Sequence, residues 1–231
     1  MRYAVILAGG KGTRLRPFTV TLPKPLVPIG ETPIIEITIR KLAEAGFDVA
    51  TLAINHMGDL IRAYFGGGER FGIELRYSLE REPLGTFGPL RLLCDLPEHF
   101  LVMNADIITD LHLGDFLDRH IASGASFTIA GNKREQMLDF GVLGVEAGRL
   151  IGFSEKPTVT HTVSMGIYGV SRRALPFIPE QGPFGFDQLM HAMLAAKERV
   201  DVYQHGGYWL DIGRPEDYEK AIREFAGKFD R

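Results

Sequence analysis

The sequence predicts an α/β protein whose mostly parallel mixed sheet is covered by helices. Short apolar runs alternate with segments of helical spacing over roughly the first 130 residues. The first apolar run ends in Gly9-Gly10, as expected of a buried strand that leads into a loop. The composition is globular, with 45% hydrophobic and 24% charged residues. A chain of 231 residues can bury such a core without disulfides.

The first half alternates strand and helix patterns in a regular order. Thr32 is expected to cap the first helix and Gly46 to end it. Strands are expected at residues 3–8, 48–54, 73–78, 100–104 and 126–130, and helices at 33–45, 57–65, 90–96 and 113–121. This order, βαβαβαβαβ, is typical of a mostly parallel sheet.

The second half is less regular. A hairpin is expected around Gly148, and the final helix has early acids and late bases that suit the helix dipole. Strands are expected at residues 140–145, 150–153, 163–170, 200–204 and 208–210, and helices at 186–196 and 215–226. The sequence contains no repeat, low-complexity tract or linker, so we expect a single domain spanning residues 1–231, with a change of role near residue 130.

Charge and cysteine content exclude several classes of protein. The net charge of −3 argues against bulk nucleic-acid binding. The single cysteine, Cys94, forbids an intrachain disulfide and a cysteine-based zinc ribbon, and it fits a reducing compartment. The N-terminal apolar run is too short for a signal peptide, and no stretch approaches the ~18 apolar residues of a membrane span. We therefore expect a cytoplasmic protein without nucleic-acid or membrane partners.

The basic residues are concentrated near the N-terminus. Residues 1–30 contain five Arg or Lys side chains and no Asp or Glu, whereas the rest of the chain is acidic. A local cationic pocket in an acidic protein is typical of a site for a small anionic ligand. Chance clustering of the charges is the alternative interpretation.

The glycine-rich loop after the first strand indicates phosphate binding. In LAGGKGTRLRP (residues 7–17) several backbone N–H groups can approach a phosphate closely, and Lys11 and Arg14 add cationic contacts. The loop is neither a P-loop nor a dinucleotide-binding fingerprint. Val5 occupies the position of the first glycine of a P-loop, and Leu15 occupies the position of the third glycine of the fingerprint. Two prolines are expected to hold Lys24 in an extended segment nearby. A structural turn with a solvated lysine is the alternative.

Five segments occur in a characteristic order along the chain. They are LAGGKGTRLRP with PKPLVP (7–17 and 23–28), EREPLGTFGPL (80–90), VMNADIITD (102–110), FSEKP (153–157) and GYWLDIGRPEDY (207–218). Together they resemble the signature of the sugar-1-phosphate nucleotidyltransferases, or NDP-sugar pyrophosphorylases. The segment at 80–90 is most similar to the mannose-1-phosphate guanylyltransferase branch of that family.

The resemblance implies a Rossmann-like, three-layer nucleotidyltransferase fold, with a nucleotide-binding part at 1–130 and a sugar-phosphate-binding part at 131–231. It also implies the reaction: an oxygen of a sugar 1-phosphate attacks the α-phosphorus of a nucleoside triphosphate, and pyrophosphate leaves. Mg²⁺ is the implied cofactor. Because both reactants are anions, positioning and charge neutralisation matter most, and no protein nucleophile is required.

Four residues are expected to be catalytic. Asp106 and Asp211 each follow an apolar strand, and carboxylate oxygens are ligands that Mg²⁺ prefers. Taken alone, an aspartate at the end of a strand more often caps a loop than binds a metal, and this is the alternative for each of the two residues. Arg14 is expected to stabilise the charge that develops on the triphosphate, and Lys24 to bind the phosphates of the bound complex.

The resemblance also implies the substrate contacts. The nucleotide is expected against Leu7, Ala8, Gly9, Gly10, Gly12, Thr13, Arg14, Lys24, Glu80, Pro83, Gly85 and Thr86. The sugar phosphate is expected against Asn104, Gly141, Glu155, Lys156, Ser164, Gly166 and Trp209. Lys156 would bind the phosphate, with Glu155 and Gly141 facing the sugar. An exposed ion pair on a strand edge is the alternative for Glu155 and Lys156, and a core position is the alternative for Trp209.

The chain departs from the family pattern at several positions. Ala105 replaces the usual Gly or Ser, a small change that we expect to be tolerated. Phe87 stands where Ala is usual, a change able to reshape the base pocket. Ser164-Met165-Gly166 replaces Asn-Ala-Gly, so a shorter hydroxyl takes the place of an amide near the sugar. The chain ends at Arg231, so we expect no left-handed β-helix and no acyl- or acetyltransferase activity.

The preferred hypothesis is Mg²⁺-dependent nucleotidyl transfer with GTP and a sugar of the manno series, either a hexose or a heptose. The alternative pairing is dTTP, UTP or CTP with a glucose or amino-sugar 1-phosphate. A non-catalytic nucleotide-sugar sensor is a further hypothesis, against which the presence of all four catalytic residues argues. An enzyme for another phosphorylated acceptor is disfavoured by the segment at 155–157. A homo-oligomer is compatible with the sequence.

Overall fold

Residues 1–10, 12–55 and 57–225 are described by the computed structural model, and they contain five α-helices and thirteen strands. The helices are α1 (Ile34–Glu44), α2 (Gly58–Phe65), α3 (Leu113–Ser123), α4 (Phe186–Ala195) and α5 (Pro215–Phe225). The strands are β1 (Tyr3–Leu7), β2 (Pro28–Ile29), β3 (Thr32–Pro33), β4 (Val49–Ile54), β5 (Glu74–Leu79), β6 (His99–Asn104), β7 (Ile107–Thr109), β8 (Phe127–Met137), β9 (Val142–Glu146), β10 (Arg149–Ser154), β11 (Thr158–Ser171), β12 (Val200–His205) and β13 (Trp209–Asp211).

A seven-stranded mixed sheet forms the centre of the molecule, in the order β12-β8-β11-β6-β1-β4-β5. Strands β6, β1, β4 and β5 are parallel neighbours, as the alternation of the first half predicts. Strand β11 lies antiparallel between β6 and β8, and β12 pairs parallel with β8 at the edge. The chain moves outward from β1 to β4 and β5 and then returns to β6, so a crevice is expected beyond the carboxyl ends of β1 and β6.

Helices cover both faces of the sheet, which confirms the α/β class and the layered arrangement. On one face Ile39 of α1, Phe65 of α2 and Phe116 of α3 belong to one core cluster with β-strand residues. On the other face Leu189 of α4 and Phe87 pack with the sheet. A smaller core joins α5 to the short strands β2, β7 and β13. None of the helices in the described ranges is long and apolar enough to cross a membrane.

The second half of the chain extends the sheet beyond its core. Strands β8 and β11 pair from Thr158↔Met137 to Val170↔Phe127 and are much longer than predicted, because their outer halves run through exposed positions. The register shifts between Ser164 and Tyr168, where β11 passes β6. The predicted hairpin forms as β9 and β10, and its large apolar side chains are mostly exposed.

Several local predictions are wrong. The segment predicted as a helix at 90–96 is a 3₁₀ turn at Gly88–Leu92, because the N–H of Leu93 bonds to the oxygen of Leu90 and Leu93 is extended. Pro33 rather than Thr32 occupies the N-cap of α1, since Thr32 pairs in β3. Lys24 opens a 3₁₀ turn instead of lying in an extended segment. The predicted end of the last helix at Ala226 lies outside the described residues.

Candidate active site

A cleft of about 660 Å³ lies at the carboxyl ends of the parallel strands. The ends of β1, β4, β5 and β6 supply most of its walls, which agrees with the rule for open α/β sheets. Fourteen of the predicted site residues line it: Leu7, Ala8, Gly9, Gly10, Gly12, Thr13, Arg14, Lys24, Glu80, Pro83, Gly85, Thr86, Asn104 and Asp106. Segments up to 99 residues apart in sequence therefore meet in one cavity.

The glycine-rich loop folds tightly against the segment that carries Lys24. Gly12 has φ +62°, and a Cβ atom there would lie 2.9 Å from the Cβ of Lys24 and 2.9 Å from Thr19. The hydroxyl of Thr19 donates a hydrogen bond to the oxygen of Gly12 at 2.8 Å. Only glycine allows this approach, so the loop brings the Lys24 segment beside the cleft. Lys11, the other predicted phosphate contact of this loop, lies outside the described residues.

Asp106 lines one end of the cleft and immediately precedes β7, whereas Asp211 ends the neighbouring strand β13 and is not itself a lining residue. Strands β7 and β13 pair with Asp211 opposite Ile107, and the N–H of Ile212 donates to the backbone oxygen of Asp106 at 2.9 Å. Lys24 forms an ion pair with Asp106 through Nζ and Oδ2. The two aspartates therefore come together although 105 residues separate them in sequence.

Electrostatics around the two carboxylates favour a bound cation. Burial raises the pKa of Asp211 to about 6, and the negative charge of Asp106 acts in the same direction. The charges of Lys24 and Arg14 oppose this rise. A Cβ atom on Gly213 would lie 3.6 Å from Oδ1 of Asp211 and 3.7 Å from Nη1 of Arg14. The guanidinium and the carboxylate thus border the same glycine.

The donor set fits Mg²⁺ better than a transition metal. In the described ranges no group of three or more His, Cys, Asp or Glu side chains converges as a metal cage. Mg²⁺ in nucleotide sites is held by one or two carboxylates together with phosphate oxygens and waters, which is what Asp106 and Asp211 can offer. A bound cation would also relieve the repulsion that raises the pKa of Asp211.

The far end of the cleft is formed by the loop after β5. Glu80 is buried, and its Oε2 accepts a hydrogen bond from the N–H of Leu84 at 3.3 Å. The rest of the loop is tied to Phe184, whose backbone oxygen accepts from the N–H groups of Phe87 and Gly88. The side chain of Phe87 is fully buried in the core, so it does not line the cleft.

Asn104 and Gly166 meet at the carboxyl end of β6. Gly166 has φ +73°, and a Cβ atom there would lie 2.7 Å from Nδ2 of Asn104. The indole N–H of Trp209 donates to the oxygen of Met165 at 3.0 Å, and Arg134 stacks over the indole ring at 4.7 Å. Ser164 is within 3.3 Å of the Tyr168 hydroxyl. Asn104 lines the cleft, whereas the predicted sugar contacts Gly166, Ser164 and Trp209 are not among the lining residues.

Three predicted sugar-phosphate residues flank the exposed hairpin instead of lining the cleft, with Gly141 just before β9 and Glu155 and Lys156 just after β10. A Cβ atom on Gly141 would lie 3.2 Å from Oε2 of Glu155, so these two residues are close neighbours. Lys156 pairs with Asp139 at 2.6 Å, with both side chains largely exposed. The structure thus groups Gly141, Glu155 and Lys156 with one another, and none of them lines the cleft.

A family model for the nucleotidyl transferases matches residues 3–227. The chain belongs to this family. It is 36% identical over 223 residues to mannose-1-phosphate guanyltransferase of Yarrowia lipolytica and 37% identical over 224 residues to the catalytic subunit beta of mannose-1-phosphate guanylyltransferase of Danio rerio. Each match covers 93% of this chain, which spans 61% and 62% of the length of those relatives.

Two solved structures share the fold of this chain. HddC from Yersinia pseudotuberculosis, complexed with GMP-PN, superposes with a TM-score of 0.76 at 25% identity, over 97% of this chain and 100% of the other. A second HddC structure gives a TM-score of 0.74 at 26% identity. The family membership and the fold that the five motifs imply are therefore confirmed.

Some lining residues of this nucleotidyl transferase cleft were not predicted: Pro25, Asn55, Leu84, Pro89, Ala105 and Gly213. Asn55 directly follows β4, and its side-chain amide donates to the oxygen of Gly9. Inspection of the first polar residue after each parallel strand would have identified Asn55. All of these lining residues except Asn55 lie within the five recognised segments, and Leu84 is held at the cleft by the hydrogen bond that its oxygen accepts from the N–H of Phe184.

Proposed function

We propose that the chain transfers a nucleotidyl group from a nucleoside triphosphate to a sugar 1-phosphate, with GTP and mannose 1-phosphate as the preferred pair. The observation that carries the proposal is the meeting of the glycine-rich loop, the cations Arg14 and Lys24, and Asp106 in one cleft, with Asp211 on the strand that pairs next to Asp106. The names of the relatives support GTP and mannose, and the HddC complex with GMP-PN supports a guanine nucleotide.

The reaction needs orientation and charge neutralisation from the protein. An oxygen of the sugar 1-phosphate forms a bond to the α-phosphorus, and the bond from that phosphorus to the bridging oxygen of the β-phosphate breaks. Pyrophosphate leaves with the electron pair of the broken bond. Every reactant is anionic, so the phosphates are expected at the end of the cleft where Arg14, Lys24 and a cation held by the two aspartates would neutralise their charge.

Arg14 and Lys24 are proposed to have different roles in the reaction. The planar guanidinium of Arg14 can donate two parallel hydrogen bonds to the triphosphate, and it stabilises the charge that develops as pyrophosphate leaves. Lys24 is only 13% exposed and already contacts Asp106, so its ammonium is held in place beside the phosphates. A fixed, partly desolvated cation contributes more than a mobile surface lysine.

We propose Mg²⁺ as the cofactor, held by Asp106 and Asp211. The ion would neutralise phosphate charge and fix the orientation of the two substrates. The pairing of β13 with β7 brings Asp211 next to Asp106, and Arg14 borders the same glycine as Asp211. Lys24 then serves to hold Asp106 in a constant position.

The sugar side of the site is proposed to include the hairpin. Lys156 would exchange Asp139 for the phosphate of the sugar 1-phosphate, since a phosphate carries more charge than a carboxylate. Glu155 and Gly141, which adjoin each other, would face the sugar hydroxyls. Asn104, held against Gly166, would contact the sugar or the ribose from the cleft.

Pyrophosphate release tests the function directly. GTP, dTTP, UTP, CTP and ATP are each combined with mannose, glucose, amino-sugar and heptose 1-phosphates, with Mg²⁺ and with EDTA. Fast release with GTP and mannose 1-phosphate is expected only with Mg²⁺, and D106N is expected to abolish it. D115N, which changes an exposed side chain on α3, is the control that should retain full activity. Nucleotide-sugar binding without turnover for any pair would instead favour a sensor.

The cellular setting is part of the same proposal. A single, exposed cysteine suits a reducing compartment such as the cytoplasm. Small-molecule substrates are the proposed partners, and self-association is to be tested by sedimentation of the purified chain.

A further inference from the structure

The hairpin formed by β9 and β10 stands apart from the central sheet. It is a separate two-stranded sheet, and within the described ranges neither of its strands pairs with any other strand. A two-stranded hairpin is at best marginally stable in water on its own, and it gains stability when one face packs against another layer. Most of its large side chains are exposed, so the described residues do not supply that layer.

The register of the hairpin gathers apolar side chains on one face. Directly opposed residues share a face, and so do residues two apart along a strand. Leu143 lies opposite Phe153, and Val145 lies opposite Leu150. The register shifts at Ile151, and this extra residue keeps Leu150 and Phe153 on the same side. We call these four side chains, Leu143, Val145, Leu150 and Phe153, the apolar face; each is 58–64% exposed.

The opposite face of the hairpin is mostly small or polar. Its opposed pairs are Gly144 with Gly152, Glu146 with Arg149, and Val142 with Ser154. An antiparallel sheet with one apolar and one polar face ordinarily packs the apolar face on a core and leaves the other in water. The hairpin has this two-sided pattern, but its apolar face is exposed as well.

The exposed apolar surface of the hairpin and its base is as large as that of one side of a dimer interface. It consists of the apolar face together with three side chains that are 63–79% exposed, Met137, Phe140 and Ile151. Together these side chains present roughly 500–600 Å² of apolar surface to water. A standard-size interface buries about 800 Å² per partner, and about 65% of a homodimer interface is apolar. The two apolar areas agree.

The apolar face is complementary in shape to a second copy of itself. Its bulkier end, Phe153 opposite Leu143, lies at the base of the hairpin, and Val145 opposite Leu150 lies near the turn. When two hairpins stack face to face with their turns in opposite directions, the aromatic end of each copy meets the aliphatic end of the other. Stacked sheets lie about 10 Å apart. Such an isologous contact closes at two subunits, whereas a head-to-tail contact would continue into a filament.

Charge does not oppose this contact. Glu146 lies opposite Arg149 near the turn, and Lys156 pairs with Asp139 at 2.6 Å at the base. Each end therefore has an acid beside a base, and two copies in reversed orientation do not bring together residues of one sign only. A lipid surface is a poorer partner, because segments that bind it usually carry an excess of Lys and Arg, whereas the chain has a net charge of −3.

We propose that two copies of this chain associate by stacking the apolar faces of their β9–β10 hairpins about a two-fold axis. The partner covers the surface that no described element of the same chain covers. The contact does not depend on which nucleotide or sugar the cleft takes, so it can be tested without turnover.

Sedimentation equilibrium of the whole purified chain, without ligand, measures the association. The wild type is expected to dimerise with a dissociation constant in the micromolar range or below, as interfaces of this size do. L150D and V145D each place a carboxylate within the apolar face of both copies, so the dissociation constant should rise at least about 100-fold. L194D changes a similarly exposed leucine on α4 and should associate like the wild type.

Circular dichroism and thermal melting establish whether each variant is folded. The milder variants L150S and V145S keep the test valid if an aspartate variant does not fold, and they should raise the dissociation constant at least about tenfold. A wild type that stays monomeric well above micromolar concentrations overturns the proposal. Folded L150D and V145D that dimerise as tightly as the wild type overturn it too. A monomeric wild type that sediments with phosphatidylcholine vesicles overturns it and assigns the apolar face to a lipid surface.

Discussion

Asp211→Asn is expected to make the metal-free protein more stable while it abolishes turnover. The pKa of the Asp211 carboxyl is raised from 3.8 to about 6, first by burial and then by the charge of Asp106. A raised pKa in the folded state means that folding is opposed by ionisation of this group. The penalty is absent below the unfolded value of 3.8, grows as the pH rises, and is complete above about 6.

The size of the effect follows from the pKa shift and the exposure of the residue. A shift of this size corresponds at most to about 3 kcal/mol. The residue as a whole is exposed, so solvent screening reduces the figure to about 1 kcal/mol. For a chain of this length that is a rise of roughly 2–4 °C in melting temperature.

Urea unfolding of the wild type and D211N in EDTA, at pH 8 and below pH 4, measures this difference. D211N should be more stable by about 1 kcal/mol at pH 8, and the advantage should disappear at the lower pH. D118N, which removes an exposed carboxylate on α3 that pairs with Arg2, controls for the change in net charge and should lose a few tenths of a kcal/mol. A D211N protein that is less stable than the wild type at pH 8, or that retains turnover, would refute the electrostatic reasoning.

Four further outcomes are expected. Asp106→Asn should abolish pyrophosphate release and leave the far-ultraviolet circular dichroism unchanged, since its backbone contacts persist; wild-type rates with Mg²⁺ would contradict the metal assignment. Arg14→Ala should lower kcat at least 10-fold with a smaller change in KM, and an effect on KM alone would limit Arg14 to ground-state binding. Gly166→Ala should raise KM for the sugar phosphate, because φ is +73° and the new methyl group would displace Asn104; steady-state kinetics that match the wild type would refute this contact. Burial lowers the pKa of His120 to about 4, so the free energy of unfolding should fall by about 3 kcal/mol as the pH drops from 6.5 to 4, and an NMR titration midpoint near 6.5 would contradict this.

The parts of the fold that sequence predicts well are those whose periodicity reflects burial. Strand β4 is buried at every position, and its apolar run is recognisable without any knowledge of its neighbours. The carboxyl ends of such strands then predict which polar residues meet, and Asp106 beside the glycine-rich loop follows from that rule. Asn104 and Glu80 lie in the cleft for the same reason.

The parts that sequence predicts poorly depend on distant contacts. The loop at 84–88 takes its shape from hydrogen bonds to Phe184, almost one hundred residues away, and the helix predicted at 90–96 is replaced by a 3₁₀ turn. The length of β8 and β11 depends on their pairing with each other beyond the core, where exposed alternation gives no burial signal. The 3₁₀ turn at Lys24 also lies against a distant segment, the glycine-rich loop at Gly12, and the residues next to Lys24 in sequence do not reveal that contact.

The end of the cleft remote from Asp106 takes its shape from two loops that follow different strands and approach each other closely. Gly9 and Glu80 are 71 residues apart in sequence, yet a single methyl group on Gly9 would occupy the space of Oε1. Phe87, a departure from the family pattern that is able to reshape a base pocket, instead anchors the loop from inside the core. Its backbone N–H bonds to Phe184, and the same Phe184 donates to the oxygen of Leu84, whose own N–H holds Glu80. A change at position 87 therefore reaches the cleft through the backbone of this loop and not by direct contact, so F87A should change the KM for the nucleoside triphosphate more than kcat, and steady-state kinetics identical to the wild type would contradict this.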